Sequence, residues 1–154
     1  MALMTPIARE AFTLCDAETT DVASLAPLYL DLLVAHGEAG TLPAAAERLE
    51  GKMRHGYRIT MLCLDARPVG YAMWFDLGDD IFIRHFAIGR DHQGQGLGRM
   101  FLERLVRERL PARDMIRLDA SVEPARRFWG AMGFEDKARV MRRPMAEMLQ
   151  EIDR

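Results

Sequence analysis

The chain lacks most of the features that mark a specialised environment. Among 154 residues there are two cysteines, Cys15 and Cys63, in apolar, strand-like surroundings and without metal-ligand spacing. That excludes a disulfide framework and leaves two reduced packing thiols. No apolar run approaches the ~18 residues of a membrane span. The opening residues, MALMTPIAREAF, lack the basic start and apolar core of a secretory signal. Neither sign of charge dominates: 21 Lys and Arg against 23 Asp and Glu leave a net charge of −2, without basic stretches interleaved with aromatics. Nothing therefore pulls the chain toward nucleic acid or a membrane. Internal repeats and low-complexity tracts are also missing. What is present, 49% hydrophobic and 29% charged residues, is ordinary globular material. One cytoplasmic domain over residues 1–154 is expected.

Periodicity supplies the elements. Residues 11–15 read as a first strand, and 22–36 carry apolar residues at helical spacing, with Pro27 marking a start or a kink. Thr41-Leu42-Pro43 reads as a cap and first-turn proline, opening a second helix to about residue 53. Residues 57–64 and 69–75 are strand-like and joined by Asp65-Ala66-Arg67-Pro68; residues 81–88 return as a third strand. Residues 97–110 form a helix with one apolar stripe and the i,i+4 pairs Glu103/Arg107 and Arg104/Glu108 opposite. A strand at 115–120, a short helix from Pro124 to about Met132 closed by Gly133, a last strand at 137–143 and a helical tail complete the chain. A helix separates strands 81–88 and 115–120, so these two should run parallel in a right-handed βαβ unit. The class is α+β: a mixed sheet, antiparallel at first, with one parallel crossover near its middle and helices on both faces.

Between that third strand and its helix lies DHQGQGLGR, residues 91–99. A glycine turn opening a helix is an anion site, because first-turn N–H groups lack intrahelical partners and the helix dipole favours negative charge. Glycine lets the backbone come close to phosphate oxygens. A P-loop would need Lys-Ser/Thr after its last glycine, where Arg99-Met100 stands. A dinucleotide fingerprint begun at Gly94 would need glycine at position 99.

The spacing Gln93-x-x-Gly96-x-Gly98 resembles the signature of the GCN5-related N-acetyltransferase (GNAT) family. Ala125-Arg126-Arg127-Phe128-Trp129-Gly130-Ala131-Met132-Gly133-Phe134 is similar to the family's A-x-x-F-Y-x-x-x-G-F segment, and the order of elements agrees from Phe12 to about Arg143. The resemblance implies acetyl-coenzyme A (acetyl-CoA) as co-substrate and no metal. Gln93, Gly94, Gln95, Gly96, Leu97, Gly98 and Arg99 would meet its pyrophosphate, with Arg99 either touching phosphate or remaining a solvated first-turn arginine. Phe86, Ala87 and Ile88 would face the pantetheine arm in a gap between splayed parallel strands. Phe128 would contact the cofactor, Trp129 would either hydrogen-bond to the sulfur or pack on the pantetheine, and Ser121 would help solvate the sulfur.

Two departures from the family pattern concern proton transfer. An alkyl amine has a pKa near ~10.4, so its neutral form costs about 4.6 kcal/mol at pH 7. Some members place an acidic pair in the strand before the turn; Arg84-His85 stands here. His85 becomes the first candidate base and Glu38, after the first helix, the second, with a packing role for His85 kept open. The family's frequent acid, a tyrosine, is replaced by Trp129, which does not titrate usefully. A usual asparagine is Val122.

The expected activity is N-acetylation of a primary amine, of a small molecule or a peptide, by direct attack in a ternary complex. The acceptor pocket is expected between residues 29–41 and strand residues such as Trp74 and His85, with Asp31 and Glu38 its acids. A catalytically weakened acyl-CoA-binding module is the alternative. A homodimer through the late strands or the tail stays open.

Overall fold

The computed structural model describes residues 7–120, 123–137 and 140–153. Seven strands form one sheet in the order β1 (Phe12–Asp16), β2 (Arg58–Leu64), β3 (Arg67–Asp76), β4 (Asp80–Ile88), β5 (Met115–Asp119), β7 (Val140–Pro144), β6 (Glu135–Lys137). Helices α1 (Val22–Ala35) and α2 (Leu42–Arg54) cover one face. Helices α3 (Leu97–Glu108), α4 (Glu123–Ala131) and α5 (Met145–Ile152) cover the other. All strand pairs are antiparallel except β4 with β5, the expected parallel crossover.

Strand alternation divides the apolar residues between two cores. Ile59, Met61, Cys63, Tyr71 and Met73 face α1 and α2, against Leu25, Tyr29, Leu33 and Leu49. Leu62, Ala72, Trp74, Ile81, Ile83, Ile116 and Leu118 face α3, whose Phe101, Leu102 and Leu105 are fully buried. Each such aliphatic side chain contributes roughly 1.5–3 kcal/mol by leaving water.

Several expectations need correction. Helix α1 starts at Val22 and carries Pro27 within it, so Pro27 is not the helix start. The β2–β3 turn is only Asp65-Ala66, both at positive φ (51° and 63°), while Pro68 lies inside β3. Twin left-handed residues match the right-handed twist of a tight hairpin, although Ala66 is an unusual choice there. The single late strand is two, β6 and β7. Glu103 pairs with Arg99 and Arg107 with Asp153, so of the two predicted helical pairs only Arg104–Glu108, at 2.8 Å, forms. Cys63 is buried, but Cys15 is exposed rather than packed. Burial above all pushes the Cys63 thiol up to about 11, which keeps it an inert thiol.

Candidate active site

Strands β4 and β5 pair only from Asp80↔Met115 to Ile83↔Leu118. Beyond that rung β4 continues to Ile88 bonded to β3 alone. The two parallel strands therefore part, and one edge of residues 84–88 is left without a strand partner. A bulge at Arg84 sets which residues face the gap: Trp74 pairs with Ile83, but Met73 pairs with His85. One inserted residue reverses the parity of the strand. Ile81 and Ile83 point to the α3 side, and after the bulge Phe86 and Ile88 do so as well, whereas Ala87 packs on the α1 side.

On the α3 side a cavity of about 650 Å³ runs along the glycine turn, lined among others by Phe86, Ile88, Gly94, Gly96, Gly98 and Arg99. Gly94 and Gly96 lie at φ +77° and +76°, with open space where a Cβ would stand. Gly96 is the N-cap of α3 and supplies no side-chain cap. The first N–H groups of the helix thus meet the cavity without a capping oxygen. Gly98 serves differently: a Cβ there would come within 3.2 Å of the Phe128 ring, so the glycine lets α4 approach α3. Gln93 turns back and donates to the Ile88 carbonyl at 2.9 Å, pinning the turn to the strand end. Arg99 is exposed and held by Glu103 at 3.2 Å. Leu97 is buried beneath the turn, and Gln95 is exposed.

Phe86 is stacked on Phe101 (5.2 Å) and Phe128 (5.8 Å) and meets Trp129 edge-on at 5.1 Å. Trp129 is 5% exposed. Arg126 is bound to the Ala120 carbonyl and paired with Asp136, so it is engaged within the fold. Ser121 and Val122 lie outside the described residues.

On the α1 side a second cavity, about 390 Å³, is lined by Tyr29, Leu33, His36, Glu38, Arg48, Arg84, His85 and Asp119, among others. It shares Phe86, Ala125 and Trp129 with the first, so the cavities meet at the β4–β5 gap. The structure therefore brings His85 and Glu38 to one cavity. His85 is stacked on Tyr29 (4.9 Å, 20°), and its Nδ1 lies 3.1 Å from the Tyr71 hydroxyl. Burial first, then the nearby Arg84 charge, lowers the His85 pKa to about 4. Burial holds the Tyr71 phenol well above its usual range. The ring of His85 is therefore neutral at pH 7, with one of its nitrogens engaged by the Tyr71 hydroxyl.

Two expected wall residues are elsewhere. Trp74 is 3% exposed on the α3 side, donating its indole N–H to Thr60 at 3.1 Å. Asp31 is drawn to Arg90 at 3.3 Å, away from the cavity. Asp119 and Arg48 were missed because no motif carries them; the rule that ligands gather at the carboxyl ends of parallel strands points to Asp119, the last residue of β5. Among the described residues no three His, Cys, Asp or Glu side chains gather around a point where a metal could sit. No helix there is long and apolar enough to cross a membrane.

A glycine-opened helix end beside two parting parallel strands agrees with the sequence, which matches the acetyltransferase (GNAT) family over residues 25–134. The chain belongs to this family. Among similar solved structures, an acetyltransferase from Thermus thermophilus is 25% identical, with 87% of this chain and 97% of that one covered at a TM-score of 0.73. The ribosomal-protein-S18-alanine N-acetyltransferase of Escherichia coli is 22% identical over 87% and 94%, TM-score 0.67. The protein yncA of Salmonella typhimurium, solved with its cofactor acetyl-CoA, is 19% identical over 88% and 94%, TM-score 0.65. No curated protein matches the chain by sequence.

Proposed function

We propose that the chain acts as one cytoplasmic domain transferring the acetyl group of acetyl-CoA to a primary amine, by direct attack in a ternary complex. The observation that carries this reading is the meeting of two cavities at Phe86, Ala125 and Trp129, one backed by the glycine turn and the other by polar side chains. The uncapped N–H groups of α3 and the open Cβ positions of Gly94 and Gly96 fit a diphosphate. The edge of β4 from Phe86 to Ile88 fits an extended amide-bearing arm laid beside it as an added strand. When bound, acetyl-CoA supplies the activated acyl group.

His85 and Glu38 divide the polar work unequally in this reading. An imidazole whose pKa is about 4 and whose Nδ1 is engaged by Tyr71 is a poor sink for the proton of an alkyl amine. His85 therefore forms a neutral wall beside the amine. Glu38, exposed in the loop after α1, leads the proton out to solvent. Trp129 sets an indole donor near the gap in place of an acid, and a thiolate of pKa about 8.5 can leave without one.

Release of free thiol from acetyl-CoA, measured across a panel of amines, tests the reading. Amine-dependent release, reduced roughly 10-fold or more in Glu38→Gln, supports it. Tight binding of coenzyme A with no release for any amine favours instead an acyl-CoA-binding module.

A further inference from the structure

The ion pairs of this protein are distributed unevenly. Arginines 54, 90, 99, 104, 107, 109, 113, 117, 126 and 143 each pair with a carboxylate. Among the described arginines without such a pair, Arg9, Arg58 and Arg67 lie elsewhere, while Arg48 and Arg84 line the α1-side cavity. Arg48, Arg84, Glu38 and Asp119 all line it, and none of the four makes an ion pair among the described residues. Arg84 and Asp119 are the residues immediately after the last paired rung, Ile83↔Leu118. Ile83 and Leu118 face the α3 core, so both charged residues stand on the opposite side of the sheet, across the opening gap from one another. They still do not join. Arg84 reaches only the neutral Tyr57, with its guanidinium 5.7 Å from the ring centre and 3.5 Å from the hydroxyl. Two cations and two anions thus line one cavity, all four open to solvent and none held by an opposite charge among the described residues.

We propose that the acceptor amine also carries a carboxylate. Its ammonium group docks between Asp119 and Glu38, and its carboxylate is taken by Arg84 and Arg48, the bidentate partner that guanidinium favours. A zwitterion offers a partner to both signs of charge at once, which a plain amine cannot do. A cavity of about 390 Å³ suits a molecule of amino-acid size. The inference rests on the acetyl-transfer reading above and narrows its substrate class.

The test compares matched acceptors in the thiol-release assay: each free α-amino acid, its amide, its decarboxylated amine, and a dipeptide beginning with the same residue. A free acid should be used roughly 10-fold or more better, in kcat/KM, than its amide and amine. Arg84→Gln and Arg48→Gln should each cut that acid-over-amine ratio at least about 5-fold, mainly through KM, and Arg84→Lys should recover part of it. Equal use of acids, amides and amines overturns the proposal. So does a preference for dipeptides, or a uniform loss on all acceptors in both glutamine variants. Calorimetric titration with coenzyme A alone separates the two levels: no binding there removes the acetyl-transfer reading itself.

Discussion

The two cavities that meet at the β4–β5 gap are built on different principles. The α3-side cavity is shaped by backbone: positive-φ glycines, an uncapped helix end and a strand edge. The α1-side cavity is shaped by side chains from α1, α2, the loop between them, β4 and β5. A site made of backbone shape holds any ligand with the right phosphate and amide pattern. A site made of side chains selects by charge. The first suits a co-substrate shared across a family, and the second an acceptor peculiar to this chain.

The comparison breaks first at one of the residues common to both. Trp129 packs against Phe86, Phe128 and Phe134 and borders each cavity. Trp129→Ala should cost about 3–5 kcal/mol of stability, read from urea unfolding, and weaken coenzyme and acceptor together. Loss on one side only would mean that the cavities are not joined there. Trp129→Tyr keeps most of the packing and adds a titrating acid; its turnover number should rise roughly 10-fold if thiolate departure limits the rate.

The second prediction concerns the acceptor side alone. Unfolded His85 takes a proton near its ordinary 6.5, whereas the folded residue resists until about pH 4. Stability from this site is therefore full above pH 6.5, declines as pH falls through the interval, and levels off below about 4. The decline amounts to about 3 kcal/mol. His85→Gln should flatten that part of the stability–pH curve while leaving coenzyme affinity intact. An unchanged slope would show that His85 is solvated and that the Tyr29–His85–Tyr71 stack does not hold in solution.

The same division explains what could be read from sequence. Helices α2, α3 and α4 were legible because caps, glycines and apolar stripes are local signals, as were the parallel crossover and the glycine turn. Gly96 and Gly98 look alike in sequence yet do different work, one leaving space over a helix end and the other admitting Phe128. The β4 bulge was not legible: Arg84-His85-Phe86 carries no glycine or turn residue to announce it. Its reversal of parity decides that His85 faces Tyr29 and Phe86 faces Phe101. Trp74 was misplaced for a related reason, since hydropathy does not say which face of a doubly covered sheet an aromatic takes. Arg48 became visible only when distant segments were seen around one cavity, whereas Asp119 could have been reached from its place at the end of a parallel strand.

On the coenzyme side, Gly96→Val puts a branched side chain at φ +76° and into the open space above the first turn of α3. Losing about one charge-assisted N–H contact to phosphate should raise the coenzyme A Kd roughly 30-fold, near 2 kcal/mol. The KM for the acceptor should stay within about 2-fold, because that ligand leans on other residues. A parallel rise in both constants would dissolve the distinction between the cavities.

The smallest effect is expected at Arg99, the charged member of the same turn. Its side chain is 56% exposed and already paired with Glu103 at 3.2 Å, with Glu151 also near at 4.0 Å. A phosphate would have to compete with those carboxylates in a well-screened setting, where an exposed ion pair is worth about 0–1 kcal/mol. Arg99→Gln should therefore change the coenzyme A Kd by less than about 5-fold, and raised salt should narrow even that. A loss as large as that of Gly96→Val would mean that the arginine leaves Glu103 to seize the phosphate, and that side-chain charge rather than backbone shape governs this cavity too.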